Sequence, residues 1–168
     1  GGTHLEIKWK GLSPSPKELL MLPKNVVKTS ENNEQAALVS TVLLTYQHRT
    51  DFVRKLFFST LSGAWIGGSG KRGRGALVGK YKSEGWVNGV ADLLYLQPRG
   101  GYAYLAIEMK TPERIGEKNG GASDDQIEWL KAARSAGAMA EICHGAEAAW
   151  EVFSNYMALD FVPRLDQE

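Results

Sequence analysis

Two apolar runs, residues 90–96 (VADLLYL) and 102–109 (YAYLAIEM), are joined by a turn-rich Gln-Pro-Arg-Gly-Gly link and carry charge inside what reads as a pair of strands. Glu108 and Lys110 are two residues apart, so a strand points them to the same face. Antiparallel pairing of the two runs brings Asp92 within a residue or two of a position opposite Glu108. Two carboxylates and an ammonium then converge. Carboxylates that close repel each other unless a proton or a cation joins them. A hard divalent cation with oxygen ligands resolves the conflict, and Mg²⁺ is the usual choice where phosphates are handled. The plainer reading is a surface ion pair, but charge within otherwise apolar strands is costly without a partner or a task.

The bulk numbers bound the remaining choices. A length of 168 residues suits one domain with a real core, and 43% hydrophobic with 23% charged residues is an ordinary globular composition. The apolar runs are far shorter than the roughly 18 residues of a membrane span. The start, GGTHLEIKWKG, lacks the apolar core of a secretory signal. The single cysteine, Cys143, excludes an intramolecular disulfide and a cysteine-based zinc cluster, which favours a reducing, intracellular setting. Net charge is only +1, yet Lys71, Arg72, Arg74, Lys80 and Lys82 lie in a stretch free of acids, residues 63–83. Such a patch can hold a phosphate backbone, or it can be a solvated surface.

Residues 1–29 read as an N-terminal extension, with a short strand-like THLEIKW and breaks at Pro14, Pro16 and Pro23. The domain itself is expected over residues 30–160, followed by a tail over 161–168. Residues 30–50 predict a helix with an apolar stripe of Leu38, Val39, Val42, Leu43 and Tyr46, and a short helix or turn can continue over 51–56. Residues 57–75 begin as a strand and become a mobile, glycine-rich basic loop, and 76–84 predict a short helix ended by Gly85. Residues 123–136 predict a helix with a Ser123–Gln126 capping box and Gly137 at its stop. A buried strand over 138–144 and a helix over 146–157 complete the order helix, strand, strand, strand, helix, strand, helix. That order predicts an α/β fold with a mixed β-sheet flanked by helices.

Several side chains have both a chemical and a structural reading. Asp92, Glu108 and the Met109 backbone carbonyl can hold Mg²⁺ or Mn²⁺, with Lys110 orienting or deprotonating a water and offsetting transition-state charge. Glu34 is either a further metal ligand or a glutamate complementing its helix dipole. Gln126 either binds substrate or a metal-bound water, or serves only the capping box. Trp65, Tyr81 and Trp86 can stack on bases or anchor loops. His4, His48 and His144 have no metal-ligand spacing, and Cys143 reads as core.

The segments G-V-A-D-L-L-Y-L, A-I-E-M-K-T-P and S-D-D-Q-I-E-W-L-K-A-A-R-S-A-G resemble the VRR-NUC family, a branch of the PD-(D/E)xK nuclease superfamily. The resemblance spans residues 30–159. Ala91 stands where the family usually has proline, and the interval between Lys110 and Gln126 is longer than is common. The extra residues, 114–121, suggest a flexible loop near the site. The resemblance implies a restriction-endonuclease-like core with Asp92 and Glu108 as metal ligands, Lys110 as the catalytic lysine, Glu34 as the helix-borne acid and Gln126 as the active-site glutamine. It further implies a metal-dependent endonuclease acting on branched DNA. The stand-alone members resemble Holliday junction resolvases and act as homodimers. Alternatives are a flap or duplex nuclease and a non-catalytic DNA-binding protein of the same fold.

Overall fold

The computed structural model describes residues 29–47, 50–60 and 70–161. Helix α1 (Glu31–Thr45) is capped by Ser30, whose side chain accepts the Asn33 N–H. Helix α2 (Thr50–Leu56) leads directly into strand β1 (Phe57–Ser59). Helix α3 (Gly70–Ser83) follows, then strands β2 (Leu93–Tyr95) and β3 (Leu105–Lys110). Two 3₁₀ turns, Pro112–Gly116 and Lys118–Gly121, precede helix α4 (Asp124–Ser135), strand β4 (Met139–His144) and helix α5 (Ala146–Ala158). No helix among the described residues is long and apolar enough to cross a membrane.

The four strands form one mixed sheet in the order β1-β2-β3-β4. The first two pairings are antiparallel and β3–β4 is parallel, with α4 as the crossover that a parallel pair requires. Strand β3 is buried along its whole length, and its alternation divides the core. Leu105, Ile107 and Met109 join Leu38 and Val42 of α1 and Phe153 and Tyr156 of α5. Ala106 joins Leu130 and Ala133 of α4 together with Ala138 and Ala140. The result is the expected α/β architecture, with helices on both faces of a mixed sheet. Cys143 lies in the first of these clusters, and burial pushes its thiol up to about 12.

The structure departs from the sequence reading in three places. Helix α3 begins at Gly70, so Lys71, Arg72 and Arg74 sit on the same helix as Lys80 and Lys82 rather than on a loop. Each glycine costs a helix about 1 kcal/mol against alanine, but the lysine, arginine, alanine and leucine between them are good helix formers. The helix expected over 76–84 thus extends back to Gly70 and separates β1 from β2. The strands are also shorter than the apolar runs. Met109 donates its N–H to the Asp92 carboxylate at 2.8 Å, so a side chain stands where the ladder would continue. Finally, residues 114–121 are the two 3₁₀ turns rather than a flexible loop, with Asn119 and Gly120 in the left-handed region. Trp65, His4, His48 and the N-terminal extension lie outside the described residues.

Gly89 fixes the lead-in to β2. Its φ is +73°, and a Cβ there would lie 2.4 Å from the backbone carbonyl of Asp125 in the first turn of α4. Gly89→Ala therefore adds backbone strain to a clash with another main chain. It is expected to cost at least about 2 kcal/mol in thermal or denaturant unfolding.

Candidate functional site

The β2–β3 register pairs Leu93 with Ile107, so its continuation sets Asp92 opposite Glu108. Glu108 and Lys110 share the face of β3 that looks toward α4, and both are buried, with 0% and 3% exposure. Lys110 Nζ donates to Glu108 Oε1 at 2.6 Å and to the Met109 carbonyl at 3.0 Å. A buried ion pair is tolerated only when its remaining polar atoms also find partners. Gln126 supplies one such contact. Its Nε2 donates to Glu108 Oε1 while its Oε1 accepts the Ser123 N–H at 2.8 Å. The two readings of Gln126 are thus combined: the capping box is formed, and the same amide touches the buried carboxylate.

Glu108 Oε2 is buried and has no hydrogen-bond partner. Burial first, and then the charge of Asp92, pushes this carboxyl up to about 7 against the pull of Lys110. Asp92 is likewise raised, chiefly by burial, although the Met109 N–H and Lys110 oppose the shift. Two facing carboxylates can share a proton or a cation, and as bare anions neither can donate to the other. The donor set of Asp92, Glu108 and the Met109 carbonyl is all oxygen, which suits a hard divalent cation. The partnerless Oε2 is an atom that such an ion would satisfy, so these residues fit a divalent cation. Among the described residues no ready-made cluster of three or more acidic, histidine or cysteine ligands exists.

The first helix contributes two acids with different tasks. Glu34 is nearly buried, and its Oε2 accepts the Ala146 N–H at 2.7 Å, at the start of α5. The acid beside Lys110 is Glu31, one turn earlier, at 3.6 Å. The sequence reading missed Glu31. The signal available was its spacing of three from Glu34, which puts both on adjoining rows of one helix face. Glu31 also holds Arg114 at 3.3 Å, and Arg114 is bound in turn by Glu117 at 2.9 Å. These side chains line an open cleft of about 660 Å³ with Lys110, Lys118, Asn119, Asp124 and Gln126. His144 points its Nε2 at the Gly120 carbonyl, 2.9 Å away, and so supports the cleft wall. Lys80 and Lys82 are exposed on α3, and Lys80 makes only a loose pair with Glu84 at 3.7 Å. Lys71, Arg72 and Arg74 are placed by the structure only as helix positions.

Fold and site together define an α/β protein whose central strand carries a buried carboxylate–lysine pair. Residues 71–147 match the model of the VRR-NUC domain family. The fold is similar to that of a solved VRR_NUC domain protein, with a TM-score of 0.60 and 20% sequence identity over 83% of this chain and 100% of that one. No curated protein matches the chain in sequence. Residues 71–147 thus resemble the VRR-NUC domain, a domain of the nuclease type.

Two outcomes are expected. In EDTA, Glu108 is neutral in both folded and unfolded chains below its unfolded value of 4.5, and stability falls as pH rises from there through about 7. The unfolded chain then releases the proton more readily than the folded one. Thermal unfolding between pH 5 and 8 should reveal a loss of up to about 3 kcal/mol that Glu108→Gln lacks. Separately, Glu34→Gln should destabilise by about 1–2 kcal/mol through the lost charge on the bond to Ala146, whereas Glu31→Gln should leave unfolding within about 0.5 kcal/mol.

Proposed function

We propose that the chain is a Mg²⁺- or Mn²⁺-dependent DNA endonuclease acting on branched DNA, with a four-way junction as the first substrate and a homodimer as the working form. The observation that carries the reading is the buried Glu108 carboxylate. It faces Asp92, is bonded by Lys110 and has one oxygen without a partner. A binding surface for a polyanion has no use for buried negative charge in its floor, so retention of both carboxylates favours cutting over binding alone.

Asp92, Glu108 and the Met109 carbonyl would hold the ion. When bound, it would polarise the scissile phosphate and lower the pKa of a water. Lys110 holds its ammonium against Glu108 and the Met109 carbonyl, where it can orient the attacking water and offset charge on the phosphorane oxygens. Gln126 fixes the Glu108 rotamer through its amide. The exposed Lys80 and Lys82 attract the phosphate backbone toward the cleft. A two-fold dimer would set two such sites against opposing strands of a junction, an inference from family analogy alone.

The test is cleavage of a labelled four-way junction, a flap and a linear duplex with Mg²⁺, Mn²⁺ or EDTA. Asp92→Asn, Glu108→Gln and Lys110→Ala should each lower cleavage by about a thousandfold or more while leaving DNA binding largely intact. Cutting that survives all three substitutions overturns the site. Equal rates on junction and linear duplex overturn the branched-substrate assignment. Removing Lys80 and Lys82 should weaken binding and reduce its salt slope by about 2.

A further inference from the structure

A second cleft lies on the other side of the first turn of α4. It measures about 410 Å³ and is lined by Trp86, Trp129, Lys82, Asn88, Asp125 and Glu128. We propose that it receives the base of an unpaired nucleotide while the backbone of the same DNA strand lies in the catalytic cleft. The proposal rests on the nuclease reading for the identity of the polymer, and it adds a binding site and a substrate feature to that reading.

Two indoles in one cleft of this size suit a flat aromatic guest. Trp129 packs against the Leu130–Ala133 cluster, so its indole is held by the core. Trp86 follows the turn that ends α3, where its backbone N–H donates to the Tyr81 carbonyl at 2.8 Å and fixes the main chain from which its indole projects. Both side chains remain only half-buried, which leaves part of each accessible to a guest. Lys82 is exposed at the rim and is the basic residue that lines the cleft. A phosphate therefore finds positive charge beside the aromatic walls, as single-strand binding surfaces combine the two. Asn88, Asp125 and Glu128 add hydrogen-bond acceptors, which suit a base with an exocyclic amine, cytosine, adenine or guanine, over thymine.

The placement ties this cleft to the chemistry. Asp125 lines it, while the neighbouring Asp124 and Gln126 line the catalytic cleft. Gly89 packs its backbone on the Asp125 carbonyl region, so the floor between the two clefts is a fixed main-chain contact. A base inside a duplex is stacked and paired and cannot enter the cleft. An unpaired base at a branch point can. The cleft thus selects DNA with unpaired bases, such as a flap, over fully paired DNA without reading sequence through a groove.

The test measures binding of the intact chain in EDTA, where cleavage does not intrude. The probes are a flap with unpaired cytosines, the same flap with thymines, and a blunt duplex. Trp86→Ala should weaken flap binding by about tenfold and duplex binding by less than about twofold, and Trp86→Phe should recover most of the loss. Thymine should bind more weakly than cytosine. With the wild-type protein, 2-aminopurine at the unpaired position should be quenched on binding, a readout that requires no variant to fold. Equal losses on flap and duplex, no loss, or an unquenched probe overturn the proposal. If the wild type still cuts junctions with Mg²⁺ in those cases, the nuclease reading survives and only the base site fails. A wild type that neither binds nor cuts any of the DNAs overturns both.

Discussion

The buried pair of Lys110 and Glu108 on the central strand is the constraint from which the rest of the arrangement follows. Burying two charges is expensive, and removing either partner leaves the other uncompensated at a cost of about 3–5 kcal/mol. The fold offsets this with the Gln126 amide of α4 at Glu108 and with Glu31 of α1 at the ammonium, while Asp92 of β2 adds a like charge that a proton or a cation relieves. Without the Gln126 amide, Glu108 would keep Lys110 as its one side-chain donor among the described residues. The site is therefore held by the same contacts that hold the sheet to its helices. Chemistry at Glu108 and packing around β3 are not separable properties.

The two faces of β3 share this work unequally. The face toward α1 and α5 is built of leucine, isoleucine and methionine against aromatic rings, including the Phe57–Phe153 and Tyr95–Phe153 contacts at 5.0 and 5.4 Å. It supplies most of the apolar burial. The face toward α4 is built of alanine beside the charged pair. Small residues there let α4 approach closely enough for its first turn to reach Glu108. The polar end of the same sheet is also where the carboxyls are held above their ordinary range, so protonation and cation binding compete for the same oxygens.

Much of this was legible in the chain. The strand pair, its register near Asp92 and Glu108, the capping box at Ser123 and the core role of Cys143 follow from local pattern, because each depends on residues close in sequence. What was not legible depends on distant packing. Glu31 and Glu34 are both acids in the first turns of one helix, and sequence offers no means to rank them. The choice is made by α5, whose first N–H meets Glu34 across an interval of 112 residues. The first turns of helix α3, before residue 76, escaped notice because their glycines read individually as breakers, while helix formation is decided over the whole segment. The turns after Lys110 looked like a loose insertion. They are ordered by short-range backbone bonds and by the Arg114 contacts to Glu31 and Glu117, again a matter of what stands across the cleft.

Those turns are anchored at both ends, by Lys110 within the sheet and by the Ser123 capping box, while no residue of the first turn is buried and Ile115 stands exposed. Residues can be gained or lost between the anchors without moving the carboxylates. The cleft wall is thus a place where descendants of this chain can diverge in what they admit while inheriting the same reaction centre unaltered.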